Sequence, residues 1–282
     1  MVNEQTIDDL KKWFTTYVQT FASKDIAVRQ NIQLKEEHTK LVCKEILHLG
    51  HQLELNAGEL RLAELTALFH DIGRFEQYAR YSTFVDGKSV NHAQLGVKIL
   101  QEKDVLSQLD NSVRDLILRI IAYHNRAVLP AEENTTCLFF SRLLRDADKL
   151  DIWRVVTDYY RQINKKTNTA LELGLPDTIG LSDAVVKDLL AGRIVDIKHL
   201  KNLNDLKLLQ VGWVYDLNFT PSFQRLNEKG YLDMIRTVLP KTEGVEMIFT
   251  AVTSFLIREC AKKPSSAERL NDRSFVSDHC TP

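Results

Sequence analysis

Apolar residues recur every three or four positions along most of this chain, which is the spacing of one face of an α-helix. The first such stripe consists of Leu10, Phe14, Tyr17, Val18 and Phe21. It predicts a core-facing first helix, and the same spacing predicts further helices near residues 31–49, 58–70, 92–101, 110–123, 135–163, 183–191, 222–238 and 243–261. Only six prolines and eleven glycines interrupt the chain. The predicted fold class is therefore an all-α helical bundle with additional C-terminal helices.

One short segment departs from the helical pattern. Residues 84–90 place Asp86-Gly87 between short apolar pairs, which is typical of a tight turn between two strands. An irregular loop fits the same residues equally well. Asn91 is a favourable N-cap residue, so the next helix is expected to begin at His92. The whole loop, residues 82–91, is either an ordinary exposed loop or a cover for a bound substrate.

The chain divides at a loop near residues 167–181, which is interrupted by Gly174, Pro176 and Gly180. All candidate chemistry lies before this loop, and the sequence after it is helical without a cluster of ligand residues. We therefore expect a helical metal-binding domain over residues 1–165, with its core at 31–155. A helical extension over 166–262 is expected to pack on that domain, and a flexible tail is expected over 263–282, where the periodicity is lost.

The composition is that of an ordinary globular protein. The chain has 282 residues, of which 44% are hydrophobic and 27% charged, and its formal net charge is −1. Such a charge creates no general attraction for nucleic acid or for an anionic membrane, so neither is an expected partner. The four cysteines are widely spaced, the N-terminus lacks the layout of a signal peptide, and no apolar run is long enough for a membrane helix. We expect a cytoplasmic protein.

Histidines and carboxylates at inward-facing helix positions are the main chemical feature of the chain. They are the sequence His70-Asp71-Ile72-Gly73, His38 before it, and His92, His124 and Asp148 after it. A single inward histidine is more often a hydrogen-bonded core residue than a ligand. A buried carboxylate without a partner, however, costs several kcal/mol, so Asp71 and Asp148 need compensation. Divalent cations would supply it, and six ligands suit two ions better than one.

The order His, His-Asp, His, His, Asp, with the second pair written HDIG, resembles the HD-domain superfamily of metal-dependent phosphohydrolases. The resemblance covers residues 31–155, and it is to the binuclear branch, which carries two extra histidines before the final aspartate. It implies an all-α bundle and two divalent metal ions, drawn from Mn, Fe, Co, Ni, Zn or Mg. The implied ligands of the first ion are His38, His70, Asp71 and Asp148. Asp71 would bridge to a second ion that His92 and His124 complete.

The sequence also departs from one branch of that superfamily. Cyclic-di-GMP phosphodiesterases carry a further His and Glu and a Gly-Tyr-Pro signature after the last histidine. This chain continues instead as His124-Asn125-Arg126-Ala127-Val128, with neither feature. The departure argues against cyclic di-GMP as the substrate.

The activity implied by the resemblance is hydrolysis of a nucleotide or another small phosphate ester through a binuclear centre that activates water. Asp71 and Arg74 are the expected catalytic residues. Arg74 stands where many relatives carry lysine, and it keeps the charge while adding a planar fork suited to phosphate. The expected substrate-binding cations are Arg74, Arg145, Lys149 and Lys88. The alternative for Arg74, Arg145 and Lys149 is a set of surface ion pairs.

Two other function classes remain open at this stage. Some HD-fold proteins use the same ligand set as a di-iron oxygenase, and a nucleotide-binding regulatory module without turnover is also compatible with the fold. Metal identity and oxygen dependence distinguish the oxygenase from the hydrolase. An intact ligand set argues against the regulatory module, because a module without turnover usually loses ligands.

The ligand count predicts that the purified protein binds about two divalent ions per chain, since a catalytic site with one ion needs only three protein ligands. Elemental analysis of protein prepared without chelator measures the ratio directly. A ratio that stays near one under saturating Mn²⁺ would contradict the prediction and would leave His92 and His124 as core or substrate-contacting histidines.

Overall fold

The structure is a computed structural model that describes residues 2–162 and 167–263. The described residues form α-helices and short 3-10 turns, with no β-strand among them. The prediction of an all-α fold is therefore confirmed. The tail predicted at 263–282 lies, apart from its first residue, outside the described residues.

The helices follow one another along the chain with short connections. The first seven are α1 (Glu4–Gln19), α2 (Ile26–Gln52), α3 (Ala57–Phe69), α4 (Ile72–Tyr81), α5 (His92–Glu102), α6 (Asn111–Tyr123) and α7 (Thr135–Gln162). After the gap come α8 (Asp183–Leu190), α9 (Leu203–Gly212), α10 (Thr220–Lys229), α11 (Tyr231–Thr237) and α12 (Glu243–Cys260). The 3-10 turns are Asp86–Lys88, Ile197–His199 and Trp213–Asp216. None of the described helices is long and apolar enough to cross a membrane.

The described chain separates into two compact units. One contains the residues up to Asp148, and the other contains those from Lys149 onward. The division falls inside α7, whereas the glycine- and proline-rich loop that suggested a boundary near residue 165 comes later. The packing of residues 166–262 on the first domain stays a prediction.

Three helical features differ from the pattern-based prediction. Helix α4 was not predicted, although its buried residues Ile72, Phe75 and Tyr78 are spaced as on one helix face. Helix α9 was not predicted either, because every one of its residues is buried and no polar face marks its periodicity. The single helix predicted over 222–238 is two helices, α10 and α11, because Gly230 adopts a left-handed conformation with φ of 65° and ends α10.

The segment at residues 84–90 is an irregular loop. Its only regular element is the 3-10 turn at Asp86–Lys88, closed by bonds from the Lys88 amide to the Val85 carbonyl and from the Ser89 amide to the Asp86 carbonyl. Of the two alternatives that the sequence allowed, the loop is therefore the correct one.

In the first unit, α2 packs against α3 and α4, while α5 packs against α4 and α6. Aromatic side chains fill the space between α1 and these helices. Phe69 and Phe75 are fully buried, and the ring centres of Phe14 and Phe75 are 5.8 Å apart. This arrangement brings the junction of α3 and α4 close to the start of α5.

Gly73, the glycine of the HDIG sequence, allows α4 and α5 to touch backbone to backbone. A Cβ atom at Gly73 would lie 2.1 Å from the carbonyl oxygen of His92 and 2.8 Å from the amide nitrogen of Gly96. Neither neighbour can move away, because both are main-chain atoms of α5. The glycine therefore sets the distance between the helix that follows Asp71 and the helix that begins at His92.

We predict that Gly73→Ala destabilises the protein by about 1–3 kcal/mol, since overpacking forces the helices apart. Helix propensity alone predicts that the same substitution stabilises the protein, because alanine is favoured over glycine in a helix by roughly 1 kcal/mol. Urea unfolding measures the difference. Gly87→Ala is the matched control, because a Cβ there meets nothing within 4 Å. A Gly73→Ala protein at least as stable as the parent would contradict the proposed backbone contact.

Candidate metal centre

The structure brings all six predicted metal ligands to one place in the first unit. Their positions are His38 in the middle of α2, His70 and Asp71 at the junction of α3 and α4, His92 as the first residue of α5, His124 at the end of α6, and Asp148 within α7. Four imidazoles and two carboxylates thus converge from separate helices. All four histidines and Asp71 are buried.

One half of the cluster contains His38, His70 and Asp148 together with one oxygen of Asp71. The Nε2 atom of His38 is 3.0 Å from Asp148 Oδ1, and that of His70 is 3.6 Å from the same oxygen. Asp71 Oδ2 lies 3.6 Å from each of these two Nε2 atoms. Each of these two imidazole nitrogens therefore lies within 3.6 Å of both carboxylates.

The other half contains His92, His124 and the second oxygen of Asp71. Asp71 Oδ1 lies 3.4 Å from His92 Nε2 and 3.8 Å from His124 Nε2. The two Nε2 atoms are 3.0 Å apart. Asp71 thus directs one carboxylate oxygen toward each half of the cluster, which is the arrangement of a bridging ligand.

The separations between ligand atoms match those around a metal ion. Two ligand atoms that each bind one ion at about 2.1 Å are roughly 3.0 Å apart at a right angle and roughly 3.4 Å apart at a tetrahedral angle. The contacts in the two halves span 3.0 to 3.8 Å. Two groups of these residues could each hold a metal ion, and Asp71 belongs to both groups.

Hydrogen bonds on the outer side of the rings orient the histidines for this role. The Nδ1 atoms of His70 and His124 each lie 2.7 Å from a backbone carbonyl, at Ala67 and Ile121 respectively. Because a carbonyl only accepts, each Nδ1 carries the proton, and each Nε2 directs its lone pair into the cluster.

The cluster contains polar atoms that the protein itself does not satisfy. His70 Nε2 and Asp148 Oδ1 are buried, and neither makes a hydrogen bond of suitable geometry, although His38 Nε2 lies 3.0 Å from Asp148 Oδ1. Leaving such atoms unsatisfied costs about 1–3 kcal/mol each. A cation in the half that contains His70 and Asp148 would satisfy these atoms. A cation in the other half would lie between the Nε2 lone pairs of His92 and His124, whose nitrogens are 3.0 Å apart.

The charge states of these residues suit metal binding. Burial would raise the pKa of both buried aspartates, but their neighbours hold it well below the usual range. Those neighbours are mainly the Lys35 ammonium for Asp71, and His38 and His70 for Asp148. Burial and the nearby Arg74 guanidinium lower the pKa of His92 to about 3. The cluster therefore offers two carboxylates and a neutral His92 imidazole to cations.

Arg74, expected to be catalytic, lies beside the cluster. Its Nε atom is 3.4 Å from Asp71 Oδ1. Its Nη1 atom donates to the Phe84 carbonyl at 2.5 Å, to Gln77 at 2.9 Å and to Asp86 at 3.0 Å. The guanidinium is thus held in one orientation by α4 and the following loop, and its role in phosphate binding stays a prediction.

The other three predicted substrate-binding cations have different surroundings. Arg145 is buried and donates to the backbone carbonyl of Arg126 at 2.5 Å. Lys149 belongs to the second unit, where it forms a 2.7 Å ion pair with Asp216. Lys88 is exposed on the 3-10 turn. Their contribution to substrate binding also stays a prediction.

Two residues beside the ligands were missed by the sequence analysis. The ammonium of Lys35 lies 2.7 Å from Asp71 Oδ2, and the side chain is 16% exposed. A signal was available, because Lys35 precedes His38 by three positions and so shares its face of α2. Asp86 accepts a 2.8 Å hydrogen bond from His92 Nδ1. No periodic signal marks Asp86, because it lies in a loop.

Comparison with known protein families finds a match that covers most of the first unit. The family model described as HD domain matches residues 36–153, a range that contains all six ligands. This segment of the chain is therefore similar to HD domains. HD domains are generally metal-dependent phosphohydrolases. No curated protein and no solved structure matches the chain.

The position of Lys35 generates a prediction about the metal affinity of the cluster. Its ammonium occupies the same side of Asp71 as His38 and His70, so it repels a cation there. We expect Lys35→Met to bind the first ion about 3- to 10-fold more tightly, on the order of 1 kcal/mol of removed charge repulsion. Calorimetric titration of chelator-treated protein with Mn²⁺ measures the change.

The matched control is Lys40→Met on the same helix, whose exposed ammonium pairs with Glu36 at 2.5 Å. That variant should bind Mn²⁺ like the parent. Unchanged or weaker binding by Lys35→Met would show that Lys35 does not oppose the ion.

Proposed function

We propose that this HD domain hydrolyses a nucleotide or another small phosphate ester with two divalent ions. The observation that carries the proposal is the position of Asp71, whose two carboxylate oxygens face two separate groups of histidines. Two ions at a shared carboxylate are a common device for displacement at phosphorus.

The two halves of the cluster suggest different tasks. His38, His70, Asp71 and Asp148 would supply four donors to one ion, whereas Asp71, His92 and His124 would supply three to the other. The half with three protein donors leaves more of the coordination open to water and substrate. When bound, the ions would supply Lewis acidity, making a water molecule nucleophilic and polarising a phosphoryl oxygen.

The two positive side chains beside Asp71 suit an anionic substrate. Lys35 lies 2.7 Å and Arg74 lies 3.4 Å from opposite oxygens of the Asp71 carboxylate. Arg74 Nε makes no hydrogen bond within the protein. Bound ions would neutralise Asp71, and we propose that Lys35 and Arg74 then stabilise the negative charge that builds on the phosphoryl oxygens.

The donor set also constrains the choice of metal. Imidazole and carboxylate together suit Mn, Fe, Co, Ni and Zn, and the choice among them depends on geometry and availability. The absence of cysteine from the cluster removes the thiolate that would favour a structural zinc site.

The decisive experiment screens protein loaded with Mn²⁺, Fe²⁺ or Co²⁺ against nucleotides, cyclic nucleotides and sugar phosphates. We predict that Asp71→Ala abolishes turnover and lowers the content of both ions, because a ligand of each is lost. His124→Ala should lose mainly one ion, because the donors of the other half remain. His48→Ala, which removes an exposed histidine of α2, should match the parent in both respects.

Metal content and steady-state rates are measured side by side on the three variants. Equal metal content and equal residual activity in Asp71→Ala and His124→Ala would contradict the bridging role. Oxygen consumption by the iron-loaded protein, without phosphate release from any ester, would instead favour an oxygenase.

A further inference from the structure

The carboxylate of Asp86 connects helix α4, the start of α5 and the residue that follows His124 after α6. It lies on the 3-10 turn between α4 and α5, and it accepts hydrogen bonds from His92 Nδ1 at 2.8 and 2.9 Å. Arg74 donates to it at 3.0 Å, Gln77 at 2.9 Å and Asn125 at 3.1 Å. Four side chains thus converge on one carboxylate that lies directly behind a candidate metal ligand.

The contacts from α4 hold the loop in place. Gln77 is fully buried, and its amide nitrogen also donates to the Ser89 hydroxyl and the Val90 carbonyl, each at 2.9 Å. The backbone around Asp86 is thereby tied to α4 at several points. The carboxylate therefore approaches His92 from a fixed direction.

The contact from Asn125 extends this arrangement to the second histidine of the same half. Asn125 directly follows His124 and donates both to Asp86 and, at 3.2 Å, to Asn91, the N-cap residue of α5. Both histidines of this half, His92 and His124, are therefore linked to Asp86, one directly and one through its neighbour.

We propose that Asp86 is a positioning residue for the metal site formed by Asp71, His92 and His124, a proposal that rests on the binuclear function proposed above. A carboxylate that accepts the Nδ1 proton of a ligand histidine fixes the tautomer, orients the ring and strengthens the Nε2 lone pair as a ligand. Arg74 offsets the charge of Asp86, so Asp86 can remain ionised beside the buried ring. The other half of the cluster has no contact with Asp86 and should not depend on it.

The tautomer of His92 tests the proposal without any metal. In chelator-treated parent protein, nitrogen NMR of the histidine rings should show His92 as the Nδ1-protonated form, because Asp86 accepts that proton. Asp86→Ala should abolish this preference. Asp86→Glu should retain it in part, since the longer side chain keeps the carboxylate.

Metal binding provides the second measurement. Loss of such a carboxylate typically costs 10- to 100-fold in metal affinity. In a two-step Mn²⁺ titration we therefore expect Asp86→Ala to lower the affinity for the ion at Asp71, His92 and His124 by about that factor. The affinity for the other ion should stay within about twofold of the parent value. Asp86→Asn should fall in between, because its amide oxygen still accepts the proton but carries no charge.

A second aspartate provides a matched control. Asp188 accepts a 2.8 Å hydrogen bond from His199 Nδ1 and pairs with Arg193 at 2.9 Å, but it lies outside the HD domain. Asp188→Ala removes the same type of contact and should change neither the His92 tautomer nor the Mn²⁺ affinities. If Asp86→Ala fails to fold, Asp86→Asn carries the same comparison.

The proposal is overturned if the Asp86 variants keep the Nδ1-protonated His92 and the parent affinities, or if both ions weaken equally, as a loss of general stability would cause. Failure of the proposed function has a different signature. A parent that binds one ion or hydrolyses no ester would contradict the binuclear hydrolase, whereas the tautomer measured in metal-free protein would still decide the role of Asp86.

Discussion

The buried charge of Asp71 is the constraint around which the first unit is arranged. An ionised carboxylate removed from water costs several kcal/mol unless positive or polar partners surround it. Here the partners are the Lys35 ammonium, the Arg74 guanidinium and inward-facing imidazoles. These groups come from α2, α4, α5 and α6, so the helices must pack in the one arrangement that brings them together. The same negative charge makes the cluster attractive to divalent cations.

Close packing of two helices couples the fold to this site. The backbone contact at Gly73 places the carbonyl of His92 against α4, two residues after Asp71. A larger residue would move the start of α5 and with it the His92 ring. The HDIG sequence therefore combines two ligands, a fully buried isoleucine and a glycine that permits the approach. Packing and ligand geometry depend on the same residues.

The loop between α4 and α5 shows how a segment without regular structure can be held firmly. Its turn is bonded to Arg74 and Gln77 on one side and to His92 and Asn125 on the other. Loops carry functional residues when a rigid scaffold positions them. In this loop the positioning is done by side-chain hydrogen bonds, because the backbone has only the two bonds of a short 3-10 turn to offer.

Periodicity alone determined the helical class, most helix positions and the inward direction of the six candidate ligands. Each ligand is a polar residue within the apolar stripe of a helix, so its inward direction follows from the 3.6-residue repeat. Where that contrast is absent, the prediction failed. Helix α9 is buried on all sides, and the break at Gly230 depends on one left-handed residue rather than on hydrophobicity.

The sequence by itself therefore determined which side chains face the core of the first unit and which of them are chemically suited to bind metal. Only the tertiary structure decided that Asp71 faces both histidine groups, that Lys35 pairs with it, and that Asp86 lies behind His92. The physical reason is that periodicity reports the direction of a side chain from its own helix. Distances between helices, and contacts made by loops, depend on packing between residues far apart in the chain, for which the local pattern contains no signal.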